Sequence, residues 1–318
     1  MSVLYLREEE VEGLLPMPDA LAAVERAFLA LGTGEAVNEP RRRVPLPHAL
    51  LSVMPAGWAS RGYLGFKYYT LGTQGIRFWV HLLDAETGGL LAILEADRLG
   101  QRRTGAASGI AAKSLSRGDA STVGILGTGW QAESQLEALC LVRPIRHIRC
   151  YGRTASRRLE FAKTMTSRLG VDVKATDSPR SAVERADIVV AATSSDNPVI
   201  QGVWLAPGCH VNAVGANRIA ARELDDDVIR RCALITVDSI EQAELEAGDL
   251  VRPIQAQILG WDHVHELSEV VAGKIRGRSA DDDITLFKSL GIGIEDIAAG
   301  ALVYERARER KIGQALPM

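Results

Sequence analysis

The stretch Ser121–Ala132 reads STVGILGTGWQA, a short apolar run that passes through two glycines into a helical pattern. Gly127, Gly129 and Ala132 form G-x-G-x-x-A between a predicted strand and a predicted helix, the context that dinucleotide binding requires. The first glycine permits a tight turn, the second lets the backbone approach a pyrophosphate, and the small third residue lets helix and strand pack. Amide groups at the helix N-terminus attract phosphate. We therefore predict a cofactor loop that includes Thr128 and Gln131; the alternative is a glycine turn that binds no nucleotide.

Downstream of this loop, strand-like and helix-like segments alternate. The predicted strands are IRHIRCYGRT, VDVKAT, DIVVAATS, CHVNAVGA and ALITVDS, and the predicted helices are WQAESQLEALCLV, SRRLEFAKTMTSRLG and PRSAVERA. Such alternation implies a parallel sheet with right-handed crossovers. The fold class is therefore α/β, with a Rossmann-type, doubly wound parallel sheet over residues 119–294.

The flanking segments follow other patterns. Roughly the first 35 residues are predicted to be helical, because apolar side chains recur at helical spacing at Leu21, Val24, Phe28 and Leu31. Residues 50–94 contain apolar runs separated by glycine turns, which predicts an antiparallel meander.

A small-residue helix is expected at 102–117, and a last helix, at about 294–309, is expected to return to the N-terminal domain. We predict a second, α+β domain from residues 1–118 together with 295–318.

Composition excludes several classes of protein. The chain has 318 residues, 47% of them apolar and 24% charged, as in globular proteins of two ordinary domains. The net charge is −3, and the densest basic cluster, Arg41–Arg43, is too short to suggest nucleic-acid binding. No apolar run approaches the roughly 18 residues of a membrane span, and the N-terminus has no signal-peptide pattern. We expect a cytoplasmic protein that binds neither nucleic acid nor membrane.

No metal site is expected. The four cysteines form no CxxC pair and predict free thiols. His263 with His265, and the acidic triplet Asp281–Asp283, lack a supporting third ligand at a useful spacing, so a strand edge and a surface loop are the favoured interpretations.

The residues after the second strand bear on the choice of cofactor. NAD-preferring proteins usually carry an acidic residue here, which hydrogen-bonds the ribose 2′-hydroxyl. This chain has Gly152 followed by Arg153, Thr154 and Arg157. Because an arginine pairs with a 2′-phosphate that a carboxylate would repel, we predict NADP(H), with NAD(H) as the alternative.

Four residues outside this domain are candidates for the substrate side. Lys67 lies in the strand-like segment YLGFKYYT, where most lysines face water. Arg103 and Thr104 begin the small-residue helix, where an arginine and the helix dipole together suit a carboxylate. Arg41 begins a basic triplet before a proline-containing turn. Each residue alone is a weak signal.

In combination and in this order, the motifs resemble the ornithine cyclodeaminase/μ-crystallin family. They are RRRVPLP, SVMPA, GFKYYT, RRTGAASGIAAKSL, GILGTGWQA, VNAVGA with RELD, and ITLFKSLGIGIEDIAAG, and they span nearly the whole chain. The resemblance implies an enzyme of imino- or amino-acid metabolism that is a homodimer. It also implies that the first domain serves substrate binding and dimerisation.

Roles for individual residues follow from the resemblance alone. Arg41 and Arg103 would hold a substrate carboxylate, Lys67 would lie by the reacting carbon and nitrogen, and Met54 would shape the pocket. Other positions would lie on the cofactor side: Thr104, Ser194, Val214 and Ser289.

Two positions depart from the cyclodeaminases. Those enzymes have a glutamate that contacts the distal amine of ornithine, where this chain has Ser52, and a catalytic aspartate where this chain has Asn217. An amide cannot act as a general base. The chain therefore lacks both carboxylates that would recognise or activate a second amino group.

The sequence favours NAD(P)H-dependent reduction of a small 2-imino acid, such as a cyclic pyrroline- or piperideine-2-carboxylate, to the L-amino acid. Lys67 would supply the proton, directly or through water, and nearby arginines would lower its pKa. Two alternatives stay open: an ornithine cyclodeaminase or alanine-type amino-acid dehydrogenase, and an NADPH-binding protein with little turnover.

Overall fold

The computed structural model describes residues 3–317 and forms two compact units. Unit 1 comprises the chain up to Ala107 together with the segment from Gly291 onward, and unit 2 comprises Ser108–Leu290. Met1, Ser2 and Met318, which the predicted domain boundaries include, lie outside the described residues.

Regular structure covers most of the chain. The strands are β1 (Val3–Leu6), β2 (Ala36–Asn38), β3 (Arg42–Leu46), β4 (Ala49–Trp58), β5 (Tyr63–Gly72), β6 (Gly75–Asp84), β7 (Leu90–Glu95), β8 (Thr122–Leu126), β9 (His147–Tyr151), β10 (Asp172–Ala175), β11 (Ile188–Ala191), β12 (His210–Ala213), β13 (Cys232–Val237), β14 (Val264–Glu266), β15 (Ile284–Lys288) and β16 (Gln314–Leu316). The helices are α1 (Glu8–Leu14), α2 (Met17–Thr33), α3 (Asp97–Leu115), α4 (Trp130–Val142), α5 (Ala155–Leu169), α6 (Pro179–Val183), α7 (Asp226–Arg231), α8 (Ile240–Glu246), α9 (Gly248–Gln255), α10 (Leu267–Val271) and α11 (Gly293–Arg310).

Unit 1 is built on a mostly antiparallel sheet. Its strand order is β16-β1-β7-β6-β5-β4-β2, with β3 also paired to β4. The meander predicted for residues 50–94 is confirmed as β4–β7. The prediction of an entirely helical N-terminus is wrong at its start, because β1 pairs in parallel with the distant β7. A four-residue strand whose partner lies far along the chain leaves no periodic signal.

One face of this sheet is covered by helices. The helix α11 packs against β4, β5, β6 and α2. The buried side of α2 includes Ala20, Val24, Ala27 and Phe28. Of the apolar positions that predicted this helix, Val24 and Phe28 are buried, and Leu21 and Leu31 are partly buried.

Unit 2 has the predicted doubly wound sheet. All eight strands are parallel, in the order β10-β9-β8-β11-β12-β15-β13-β14. The chain moves from β8 outward to β10 and then returns to β11 on the other side of β8. Ligands bind at such a switch point, beyond the carboxyl ends of the strands. The α/β fold class is confirmed, and the strand β15, which the sequence did not predict, lies between β12 and β13.

The division between the units falls inside α3, at Ala107 and Ser108, and again at Leu290 and Gly291. The sequence instead placed it after residue 118 and before residue 295, where the residue pattern changes. The difference arises because α3 is one continuous helix, so the change in sequence pattern does not coincide with the change in packing. Within residues 3–317, no helix is both long and apolar enough to cross a membrane.

Candidate active site

Lys67 lies on the helix-covered face of the unit 1 sheet. It pairs with Met54 on β4 and with Val80 on β6. Alternation along the strand puts Lys67 and Tyr69 on the same face. Its side chain is 2% exposed, so the usual interpretation of a strand lysine as a solvated group does not apply here.

A buried ion network surrounds this lysine. Lys67 Nζ donates a 3.1 Å hydrogen bond to Asp296 Oδ1, and Arg103 Nε donates to the same oxygen at 3.0 Å. Arg103 Nη1 also donates to Glu295 Oε2 at 2.8 Å. Both carboxylates are fully buried and lie in the first turn of α11, where negative charge also complements the helix dipole. One carboxylate oxygen thus orients both the lysine and the arginine.

Burial is the main influence on the lysine. Desolvation lowers the pKa of Lys67, Asp296 opposes the decrease, and Arg103 and Arg41 add to it, so that the pKa falls to about 8. The direction agrees with the prediction, but the arginines are secondary to desolvation. An ammonium with a pKa near 8 is mostly protonated at neutral pH and can give up its proton readily.

Arg41, Met54 and Ser52 belong to the same unit. Arg41 is 5% exposed, donates a 2.9 Å hydrogen bond to the Gly291 carbonyl and lies 6.0 Å from the centre of the Tyr69 ring. Met54 and Ser52 are buried on the Lys67 face of β4. The Ser52 hydroxyl has no hydrogen-bond partner within residues 3–317.

Two glycines make room for the cationic side chains. A Cβ at Gly100, in α3, would lie 2.9 Å from Lys67 Nζ, and one at Gly291 would lie 2.5 Å from Arg103 Nη1. Gly291 also has a φ of +74°, which disfavours other residues. These glycines allow the two cations to approach the backbone closely.

Sequence reasoning missed Glu295 and Asp296. They are part of ITLFKSLGIGIEDIAAG, one of the motifs that carried the resemblance. Acidic residues at the start of a helix have a simpler explanation, because their negative charge interacts favourably with the helix dipole. Asp296 lies 229 positions from Lys67 along the chain, so no local pattern joins them. The signal available in the sequence was that these two acidic residues lie among isoleucines at the start of a helix.

In unit 2, the loop after β8 has the geometry of a dinucleotide loop. Gly127 has a φ of +105°, and a Cβ there would lie 2.2 Å from the Ala192 carbonyl oxygen, so only glycine fits. Around Gly129 a Cβ would meet nothing within 4 Å, which leaves open space beside the N-terminus of α4. Ala132 is fully buried, as close packing of helix and strand requires. Gln131 and Thr128 are partly buried next to this turn.

The end of β9 presents free cationic side chains. Thr154 is the N-cap residue of α5, and both Arg153 and Arg157 are exposed, with no hydrogen bond or ion pair to any other residue in 3–317. Arg158 differs, because it donates to Asp177 at 2.7 Å and lies over the Tyr151 ring. Arg153 and Arg157 are therefore available to an anion.

The remaining predicted residues follow strand ends, with one exception. Ser194 is exposed in the segment after β11, Val214 directly follows β12, and Asn217 is exposed three residues later. Ser289 directly follows β15 and donates to Asp238 at 3.3 Å. The exception is Thr104, which belongs to unit 1 and donates to the Gly100 carbonyl at 2.7 Å within α3.

The residue chemistry fits a nicotinamide dinucleotide: a glycine turn, an uncapped helix N-terminus and free arginines at the end of the second strand. Comparison with known proteins agrees. The sequence profile of the Ornithine cyclodeaminase/mu-crystallin family matches residues 2–311. The protein belongs to the ornithine cyclodeaminase/μ-crystallin family. The resemblance seen in the motifs is thereby confirmed.

Known proteins and solved structures match this chain over nearly its whole length. The alanine dehydrogenase of Archaeoglobus fulgidus is 35% identical over 99% of this chain and 98% of its own. A Δ1-pyrroline-2-carboxylate reductase of Thermococcus litoralis, solved with NADH and L-proline, has a TM-score of 0.94, 35% identity and coverage of 99% and 100% of the two chains. An archaeal alanine dehydrogenase, solved as a dimer with bound NAD, has a TM-score of 0.94, 33% identity and full coverage of both chains.

Proposed function

We propose that this family member reduces a small cyclic 2-imino acid to the L-amino acid with a nicotinamide cofactor. The observation that carries the proposal is the buried Lys67, hydrogen-bonded to Asp296 at 3.1 Å, with its pKa lowered to about 8. The similar reductase solved with NADH and L-proline supports the choice of a cyclic substrate.

The charge of the cluster suits a monoanionic substrate. Three buried cations, Arg41, Lys67 and Arg103, lie in unit 1 together with the two buried carboxylates Glu295 and Asp296. Buried cations attract a carboxylate strongly, because water screens their charge less than it does at the surface. Arginine donors also match a carboxylate in geometry.

Protonation of the imine nitrogen makes the imine carbon electrophilic. When bound, the dihydronicotinamide supplies the hydride. Lys67 in its ammonium form holds the proton at Nζ and donates it to the imine nitrogen, directly or through one water, while Asp296 keeps Nζ oriented. The apolar surroundings of Met54 and Val80 exclude bulk water and strengthen these charge interactions.

Two residues argue against deamination of a diamino acid. Ser52 is fully buried and neutral, so it offers no carboxylate to a distal ammonium group. Asn217 is an amide and provides no general base. Reduction of an imine requires neither carboxylate, so it tolerates both residues.

Oxidation of an L-amino acid is the second candidate, favoured by the 35% identity to an alanine dehydrogenase. It uses the same residues in reverse, with neutral Lys67 as the proton acceptor. Because the pKa of Lys67 is about 8, oxidation increases and reduction decreases as the pH rises through this value. The pH dependence of the two rates therefore tests the role of Lys67 in both directions of the reaction.

For the cofactor, we propose NADP(H) over NAD(H). The support is the pair of exposed arginines, Arg153 and Arg157, which follow β9 where an NAD-preferring protein usually has an acidic residue for the ribose 2′-hydroxyl. The similar proteins with bound NADH or NAD make NAD(H) the alternative.

A spectrophotometric assay tests these proposals together. We expect oxidation of NADPH, and slower oxidation of NADH, with Δ1-pyrroline-2-carboxylate or Δ1-piperideine-2-carboxylate. L-Alanine with NADP⁺ or NAD⁺ and ammonia release from L-ornithine are the comparison reactions. No turnover of either cyclic imine with either cofactor, at mildly acidic or neutral pH, would contradict the proposed reduction. Turnover of L-alanine or ornithine alone would establish the corresponding alternative.

We further propose that the protein is a homodimer through the sheet face of unit 1 opposite α11. This face carries stacked rings, with Tyr68 and Trp79 at 5.1 Å and Phe66 and His81 at 4.9 Å between centroids. The helix α11 lies against Gly65 on the other face, and the four ring side chains keep part of their surface exposed. A second copy is the favoured occupant because a similar protein was solved as a dimer. The cytoplasmic location stays a prediction.

Light scattering coupled to gel filtration measures the assembly. We expect twice the chain mass of 34.3 kDa for the wild type and the single-chain mass for Trp79→Glu, because a charge cannot be buried unpaired in an apolar interface. Leu159→Glu, at an apolar position of α5 that is 61% exposed, is the control and should stay dimeric. A monomeric wild type, or a Trp79→Glu dimer of unchanged stability, would contradict this interface.

A further inference from the structure

Glu223 is a buried carboxylate that connects two loops of unit 2. Its Oε1 accepts hydrogen bonds from the backbone amide and the hydroxyl of Thr193, both at 2.7 Å. Its Oε2 accepts from the amides of Gly215 at 2.6 Å and Ala216 at 3.1 Å. Thr193 lies in the segment after β11, and Gly215 and Ala216 lie in the segment after β12. One side chain therefore fixes the backbone after two adjacent strands.

Lys288 holds the same segment from its carbonyl side. It lies at the end of β15, and its Nζ donates to the Ala216 carbonyl at 2.5 Å and to the Ala213 carbonyl at 3.4 Å. Asp249 Oδ2 lies 3.0 Å from this Nζ. Asp249 Oδ1 accepts the backbone amides of Glu223 and Leu224 at 2.7 and 2.9 Å. The three ionisable groups form one connected network.

All three side chains are fully buried. Burial raises the pKa of Glu223, while Lys288 and the Thr193 donors oppose the increase. The four hydrogen bonds that Glu223 accepts do not serve to cap a helix. The nearby helix α7 is capped by Asp225, which accepts a hydrogen bond from the Val228 amide. Capping of α7 thus does not account for Glu223.

The network determines which backbone groups remain available after β12. The Gly215 and Ala216 amides point to Glu223, and the Val214 amide donates to the Ala191 carbonyl at 2.8 Å. Within residues 3–317, no backbone amide donates to the carbonyls of Val214 and Gly215. A Cβ at Gly215 would lie 2.1 Å from the Thr193 carbonyl, so the two segments are in close contact. Two fixed acceptors thus follow β12.

In a doubly wound sheet, a dinucleotide extends across the switch point, with its adenosine half over the first three strands. Those strands are β8, β9 and β10, and the exposed arginines follow β9. The nicotinamide half therefore belongs to the side of β11 and β12. A nicotinamide carboxamide has an NH₂ group that requires acceptors.

We propose that Glu223 and Lys288 are positioning residues for the nicotinamide half of the cofactor. They fix the segments after β11 and β12 so that the Val214 and Gly215 carbonyls can accept the carboxamide NH₂. This inference rests on the proposed function only in taking the cofactor to be a nicotinamide dinucleotide. Neither residue touches the reacting atoms.

Binding of paired ligands separates this role from a general structural one. Isothermal titration calorimetry gives the Kd of NADPH or NADH, whichever binds the wild type more tightly, and of its nicotinamide-free counterpart, 2′-phospho-ADP-ribose or ADP-ribose. For Glu223→Gln, we expect the dinucleotide Kd to rise about tenfold, the effect of losing hydrogen bonds to a charged group. The Kd of the nicotinamide-free ligand should stay within about twofold, since its half of the site is unchanged.

A milder variant and a matched control complete the test. Thr193→Val removes a single donor to Glu223, with an expected dinucleotide Kd increase of about threefold, and Thr193→Ser keeps the donor and should restore the wild-type value. Asp187→Asn is the control, because Asp187 accepts the Ser121 and Thr122 amides at the start of β8, away from the loops. It should lower the Tm without changing the ratio of the two Kd values.

The possible results are distinct. Equal weakening of both ligands in Glu223→Gln and Thr193→Val, or no weakening of either, would overturn the positioning role. A wild type that binds the dinucleotide yet reduces no imine would overturn the proposed function alone. A wild type that binds no dinucleotide would overturn both.

Discussion

Replacing Lys67 by methionine is expected to lower kcat for imine reduction by a factor of about 10³, the middle of the range for a general acid. Methionine is close to lysine in length and suits the buried site, in which Lys67 is 2% exposed. It cannot donate a proton to the imine nitrogen. The effect on stability should be small, because the neutral side chain removes the cost of burying the ammonium group and Asp296 keeps its hydrogen bond from Arg103.

Steady-state kinetics with the cyclic imine, together with the Kd of the nicotinamide cofactor, measure this effect. The Kd should stay within about twofold, because Lys67 is not among the residues proposed to bind the cofactor. Lys163→Met, at an exposed position of α5, controls for the loss of a lysine and should leave both quantities unchanged. Retention of more than about a tenth of the wild-type kcat in Lys67→Met would show that another group supplies the proton.

The sequence contained enough local information to predict most of the fold. The glycine turn at Gly127 and the alternating strand-like and helix-like segments after it predicted the parallel sheet. The apolar runs separated by turns predicted the meander of β4–β7. The strands β1 and β15 were missed for the same physical reason. Each is short and takes its place through partners distant in sequence, β7 and β12, rather than through periodicity of its own.

The cations of the candidate site were identified through the family resemblance rather than through local pattern. It gave Arg41 and Arg103 as candidates to hold a carboxylate and Lys67 as the residue by the reacting atoms, and the structure shows that all three side chains are buried. Their carboxylate partners were not found, since acidic residues at the start of α11 already have a helix-dipole explanation.

The Glu223 network was missed for a related reason. Glu223 lies two residues before the acidic run Asp225–Asp227, which caps and begins α7, and its own composition gives no sign of a different role. Its four hydrogen bonds come from two other segments, up to 30 residues away in the sequence, that only the folded sheet brings together. Sequence composition cannot distinguish a solvated glutamate from one that accepts four hydrogen bonds.

Asp296→Asn is expected to have the second large effect, on the pH dependence of the reaction. In the wild type, kcat/KM for imine reduction should fall as the pH rises through about 8, where Lys67 loses its proton. Asp296 raises the pKa of Lys67 through its charge and its hydrogen bond. Removing that charge should move the descending limb to lower pH by about one unit or more, the size of a close charge interaction.

Stability should change in a related way. Because the pKa of Lys67 is lower in the folded protein than its ordinary value of 10.5, the folded state binds fewer protons between about pH 8 and 10.5, and its stability rises with pH in this window. In Asp296→Asn the window should extend to lower pH. Loss of one member of a buried ion network should also cost about 3–5 kcal/mol of unfolding free energy, visible as a lower Tm.

The neighbouring carboxylate provides the matched control for Asp296→Asn. Glu295→Gln removes a buried charge that pairs with Arg103 at 2.8 Å but leaves the bond between Lys67 and Asp296 in place. It should lower the Tm comparably while the descending limb of kcat/KM stays near pH 8. If both variants moved the limb equally, the shift would reflect the total charge of the cluster. If neither moved it, the limb would belong to a group other than Lys67, and the assignment of Lys67 as the acid would be wrong.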